Sequence, residues 1–219
     1  MISRVNAMKK ILIASTIACL WILPLTGCNQ KESPKPEATQ QAQIQAPQPE
    51  PPKPLSKQEL DTLVTKVMKD NFQAKSGSCW LTKNSWDHTY CLKVKSVNAI
   101  SHQDGTPETI YILAMGDAAD PDEACHAEGG MVAMFVVQPD DHGGYLTIAK
   151  KPAFEAGGGW GQGGDGKFIS LGKGQYGWKL TSSFLTNGID ETTSVIFGIK
   201  DAQVVQLSLS RKEKAIKIM

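Results

Sequence analysis

The stretch that reads as folded has no surplus of basic residues. Residues 55–210 hold 13 Lys/Arg against 18 Asp/Glu, a net of −5. A nucleic-acid binder carries a basic footprint, so that class is set aside. The usual metal and redox spacings are missing as well. There is no H-x-x-x-H and no C-x-x-C, and His88, His102, His126 and His142 lie scattered in or near loops. No G-x-S-x-G occurs. The acidic run Asp117-Ala118-Ala119-Asp120-Pro121-Asp122-Glu123 lacks the D-x-D-x-D-G spacing of a calcium loop. It reads better as the first turn of a short helix, where acids suit the dipole. No metal or bound cofactor is expected. The chain also shows no internal repeat and no βαβ spacing.

Long apolar runs are equally scarce. The one candidate, residues 11–25, has about 15 residues and is interrupted by Pro24, too short to cross a bilayer. Preceded by Lys9 and Lys10, it reads as a secretory signal. Met8 is as good a start for it as Met1. The run ends in Leu25-Thr26-Gly27-Cys28. This tetrapeptide resembles the lipobox of bacterial lipoproteins at all four positions, and the resemblance covers residues 1–29. It implies cleavage before Cys28 and a diacylglyceryl group on the Cys28 sulfur. It also implies an acyl chain on the new amine. Two or more chains anchor a protein firmly where one does so marginally. By the sorting rule of enteric lipoproteins, Asn29 implies the outer membrane, facing the periplasm.

Residues 28–54 have almost no bulky apolar side chains. Pro and Gln alternate through the segment, and only Ile44 is large and apolar. Such a composition cannot bury enough surface to fold, so it reads as a disordered tether. It would span ~80 Å if wholly polyproline and ~30 Å as a flexible coil.

Residues 55–210 suffice for one domain with a core. Ser56 and Glu59 form a capping box signature, and Leu60, Leu63, Val64, Val67, Met68 and Phe72 follow a helical period toward a stop at Gly77. After Gly77 short β-branched and aromatic runs recur between turn signals, at 92–100, 109–115, 131–137, 144–149, 167–171, 176–184, 194–199 and 204–209. The expected class is therefore α+β, mainly β. An N-terminal amphipathic helix precedes an antiparallel sheet, a sandwich or an incomplete barrel. Residues 211–219 break from this pattern and are strongly basic, so they read as a tail, or as the out-of-frame end of a truncated gene.

The glycine-rich AGGGWGQGGDGKF, residues 156–168, contains G-x-x-x-x-G-K from Gly161 to Lys167. A phosphate loop needs Ser or Thr next and a helix after it. Phe168 stands there instead, and Phe168-Ile169-Ser170-Leu171-Gly172 reads as strand, so no nucleotide is expected. Trp160 is the one feature a spacer would not need. It either pins the loop by burial or is presented to a ligand.

Cys19 leaves with the signal and Cys28 is lipid-linked, which leaves Cys79, Cys91 and Cys125 in an oxidising compartment. Cys79 and Cys91 flank a stretch with no obvious regular structure. A disulfide between them would remove roughly 3 kcal/mol of unfolded-state entropy. Cys125 is then left over.

These features point to a membrane-anchored envelope lipoprotein with a non-enzymatic binding or structural domain. Its partner would be an envelope protein or a cell-wall polymer, with Trp80, Trp86, Trp160 and Trp178 as candidate contacts. A periplasmic hydrolase is the second reading; it requires two or more of Asp, Glu and His to meet in one pocket. A degenerate copy of a longer lipoprotein is the third.

Overall fold

The computed structural model describes residues 53–72, 74–186 and 189–215. Among them the chain is mainly β, with one short helix and a single curled sheet that forms a half-barrel.

The helix α1 (Lys57–Asn71) begins at Ser56, whose N–H donates to Glu59 Oε2 at 2.8 Å. Glu59 N–H donates back to Ser56 Oγ at 3.4 Å. Two orphan donors of the first turn are thereby satisfied. Leu63, Val64, Val67 and Met68 are buried on one stripe. The helix stops at Phe72, whose extended backbone begins the path into the sheet and whose ring meets Phe135 edge-on at 6.2 Å.

The strands are β1 (Ala74–Ser76), β2 (Cys79–Lys83), β3 (Thr89–Ile100), β4 (Thr109–Ala118), β5 (Met131–Pro139), β6 (Tyr145–Glu155), β7 (Asp165–Gly172), β8 (Gln175–Thr186), β9 (Ile189–Lys200) and β10 (Gln203–Ala215). Their order in the sheet is β1-β2-β3-β4-β5-β6-β10-β9-β8-β7. Two antiparallel meanders therefore meet at β6 and β10.

β4 and β5 are buried on both faces, which is why TIYILAM and MVAMFVV read as unbroken apolar runs. Ile110, Ile112 and Ala114, with Ala133, Phe135 and Val137, pack beneath α1. Tyr111, Leu113 and Met115, with Val132, Met134 and Val136, face the concave side. There the second meander folds over them through Trp178, Leu180, Phe197 and Val204. Tyr111 meets Trp178 at 5.7 Å and Phe168 at 5.1 Å between ring centroids.

Three expectations change. First, the segment between Cys79 and Cys91 is regular: β2 pairs with β3, with Trp80 opposite Leu92 and Leu81 opposite Cys91. Its alternation is short and carries polar Thr82 and Lys83, so the period is weak. Second, the sheet is mixed, because β6 and β10 run parallel where Gln203 faces Lys150. Sequence spacing cannot show this, since the connection passes through three intervening strands. Third, β10 runs on to Ala215, pairing Arg211 with Thr193 and Ala215 with Ile189. Part of the basic segment therefore belongs to the sheet, held by the β9 ladder where its own charged residues give no β signal.

The Cys79–Cys91 disulfide is present, with Cα atoms 5.2 Å apart, and it ties the start of β2 to β3. Cys125 is free and exposed.

Candidate functional site

Two features stand out, and one loop joins them. At one end of the half-barrel, three connections converge on Glu128: the β2–β3 turn, the β4–β5 loop and the glycine-rich β6–β7 loop. Glu128 is 4% exposed. Its Oε2 accepts from Asn84 Nδ2 at 3.1 Å and Tyr90 OH at 3.3 Å, and it lies 2.8 Å from His88 Nδ1. Its Oε1 accepts from Cys125 N–H at 3.3 Å. The main chain continues the knot, since Glu128 C=O accepts from Gly161 N–H at 2.9 Å and Gly161 C=O accepts from Ala118 N–H at 2.8 Å.

The electrostatics follow from this crowding. The His88 hydrogen bond, more than any other contact, holds the Glu128 carboxyl far below its ordinary range, at about 2, against the burial that would raise it. The same bond raises His88 above its ordinary value. Burial first, and then the Glu128 charge, push Tyr90 up to about 12. Both carboxylate oxygens are engaged, so Glu128 serves as an anchor for three loops.

Gly130, at the end of the β4–β5 loop, and the glycines of the β6–β7 loop serve close backbone approach. A Cβ on Gly130 would strike the main chain of Gly163, and one on Gly164 would strike the carbonyl of Thr181. Trp160 sits within this loop at φ +57, a backbone region that costs a non-glycine residue of order 1–3 kcal/mol. The residue is 63% exposed, and its ring meets that of His126 at 5.8 Å. Main-chain hydrogen bonds, rather than burial of Trp160, therefore pin the loop.

The second feature is a cleft of about 290 Å³ between β6 and the second meander. Its origin is local. Among the described residues, β6 and β10 share only the Gln203–Lys150 pairing. On β6, Pro152 and Ala153 together stand opposite the single Ala133, a bulge in which Pro152 has no N–H to give. On β10, Leu207 is an extra residue between Gln206 and Ser208. Both strands that flank the wedge thus carry a bulge, β6 in its ladder with β5 and β10 in its ladder with β9. Met115, Phe154, Leu180, Val195 and Phe197 form its apolar floor. Lys151, Ser182, Thr193 and Gln206 form its polar margin, and Gly157 and Gly164 of the glycine loop line one end.

Of the four tryptophans in the domain weighed as contacts, Trp80 and Trp178 are core, 9% and 0% exposed. Trp86 and Trp160 are exposed on the loops that Glu128 ties together. His102 Nε2 lies 2.8 Å from Thr109 Oγ1. Pro121-Asp122-Glu123 forms a turn rather than a helix: Glu123 N–H donates to Asp120 C=O at 3.3 Å, and Asp120 Oδ1 accepts from Asp122 N–H. The Asp120 side chain caps the turn itself, which removes the need for a helix. Asp117 Oδ1 accepts from Gly163 N–H at 3.0 Å. Among the described residues, no group of three or more His, Cys, Asp or Glu is arranged to hold a metal ion. Leu25, Thr26, Gly27 and Cys28 lie outside the described residues, as does nearly all of the tether.

Sequence reasoning missed the cleft and the Glu128 anchor. Pro152 within a strand-like run was the one available signal for the first; nothing marked Glu128. No family model, no curated protein and no solved structure matches this chain.

Proposed function

We propose that this chain is a lipid-anchored protein of the bacterial envelope whose half-barrel binds a small, apolar-bodied molecule in the cleft between β6 and β10. The anchor would be diacylglyceryl and N-acyl groups on Cys28, in the outer membrane and facing the periplasm. The lipobox-like Leu25-Thr26-Gly27-Cys28 supports that part. The cleft carries the binding part: an apolar floor with a few polar groups at its margin is what small-molecule sites are made of, and here bulges on both flanking strands hold it open.

The test uses 1-anilinonaphthalene-8-sulfonate, whose fluorescence rises in apolar sites. The folded protein should bind it with one site, and Thr193→Trp, which fills the cleft, should abolish that signal without changing the thermal melt. A signal of equal size in Thr193→Trp, or none in the unaltered protein, sinks the cleft reading. For the anchor, Cys28→Ser should move the protein from the membrane to the soluble fraction; retention on membranes would remove it.

The loop end supports a second contact. Trp86 and Trp160, 69% and 63% exposed, are presented on loops braced by one buried carboxylate. Aromatic side chains fixed in this way suit an envelope protein or a cell-wall polymer as partner.

A further inference from the structure

The strand register sorts the charges around the cleft. Glu155 stands opposite Met131, whose side chain packs beneath α1, so Glu155 turns away from the cleft. Asp165 pairs with Thr181, on the face of the second meander opposite to Leu180, and it too turns away. Lys151 stands opposite Met134, which is fully buried on the concave side. Of the described residues that line the cleft, Lys151 alone turns a charge inward.

That charge is held at the floor and left without a counter-charge. The Lys151 ammonium stands 4.7 Å from the centre of the Phe154 ring, and Phe154 belongs to the apolar floor. A ring face attracts a cation, which keeps the side chain along the floor. Lys151 is half-buried, and no carboxylate pairs with it among the described residues. Its neighbour Lys150, on the other face, has a partner: Nζ donates to Asn71 Oδ1 at 3.2 Å. Removing water from a cation costs free energy unless an anion takes the place of that water.

The cleft also has a direction. At one end Lys151 and Phe154 lie with Phe197, whose ring is 5.3 Å from that of Phe154, and with Gln206, the β10 partner of Phe197. At the other, Ser182 pairs with Thr193, and Gly157 lies against Ser182. Phe197 and Thr193 are four positions apart on β9, or ~13 Å. Between them the paired Leu180 and Val195 present only hydrocarbon.

We infer that the cleft takes a free single-chain amphipath with one anionic head, of the medium-chain monocarboxylate class. The head lies at Lys151 and the chain runs over Phe154, Phe197, Leu180 and Val195 toward Ser182. This rests on the cleft reading above and names the charge of its ligand. A neutral molecule would use the floor and leave the ammonium without a counter-charge. A cation would meet it as a like charge.

Calorimetry tests this on the full mature chain carrying Cys28→Ser, which dispenses with detergent. The probes are hexanoate, octanoate, 1-octanol and octylammonium. Octanoate should bind at one site. Hexanoate should bind roughly sixteenfold more weakly, at about fourfold per CH₂. Octanol should be about tenfold weaker than octanoate, the order expected for a lost charge-assisted contact, and octylammonium weaker again. Lys151→Met should make octanoate and octanol equal, while Lys151→Arg should keep the preference. A thermal melt on each variant checks that the fold is kept. Vesicles of phosphatidylglycerol should not displace octanoate; displacement would give the site to a membrane lipid and overturn the free amphipath. If octanol or octylammonium binds as tightly as octanoate, or if Lys151→Met keeps the preference, the anionic class is overturned and the cleft stands. Octanoate binding that survives Thr193→Trp would put the carboxylate elsewhere and overturn the inference. If no probe binds, both readings fall.

Discussion

The carboxylate of Glu128 is shared by the side chains of Asn84, His88 and Tyr90 and by the main chain at Cys125. Its partners set a pH window. The Glu128 carboxyl is lowered to about 2 from 4.5, so its contribution to stability is present above 4.5 and is lost as pH falls toward 2. His88 is raised from 6.5, so its contribution is full below 6.5 and is lost as pH climbs through the raised value. The pair should therefore support the loop end best between pH 4.5 and 6.5. We expect the melting-temperature difference between the protein and His88→Gln to be largest in that window and to shrink above it. A difference that stays flat to pH 9 would remove the ion pair from the account. Little of this was legible in the sequence. His88 and Glu128 are forty positions apart, and only the fold of β3 and the β4–β5 loop brings them together. The disulfide was legible, because Cys79 and Cys91 are close in the chain and short loops close readily.

At the scale of elements, the strands were readable where burial is two-sided. β4 and β5 have long apolar runs because each face has its own core to meet. β2 was not readable, since only Cys79 and Trp80 of its five residues are fully buried. The parallel contact of β6 with β10 was not readable either, being a property of two meanders rather than of any one segment. Pro152 is the element-level feature with the sharpest consequence. Past Lys150, β6 pairs no further with β10 among the described residues, and Pro152, two positions on, has no N–H to offer a neighbouring strand. Restoring a donor with Pro152→Ala should favour further pairing and narrow the wedge. The expected outcome is weaker binding of the naphthalene probe and slower amide exchange at Gln206. Unchanged exchange at Gln206 would mean that the bulge on β10 suffices to keep the strands apart.

For the whole molecule, the question is whether the helix layer and the half-barrel fold as one unit. They share β4 and β5, whose alternate residues serve opposite cores. Ile112 belongs to the core under α1 and Leu113 to the core of the concave side, and both are fully buried. Two layers joined through a shared pair of strands cannot separate without stripping one face of both strands. That would expose Tyr111, Leu113, Met115, Val132, Met134 and Val136 together. At ~25 cal/mol per Å² such exposure is prohibitive for a half-unfolded state. Ile112→Ala and Leu113→Ala should each cost 2–5 kcal/mol, roughly the range for large-to-small changes in a packed core. Each should also shift one and the same urea transition, with fluorescence and far-ultraviolet dichroism superimposing. If Leu113→Ala instead splits the curve, with the concave side melting first, the second meander is a separable flap. The cleft would then open by local unfolding, and its ligand would stabilise that step alone rather than the entire fold.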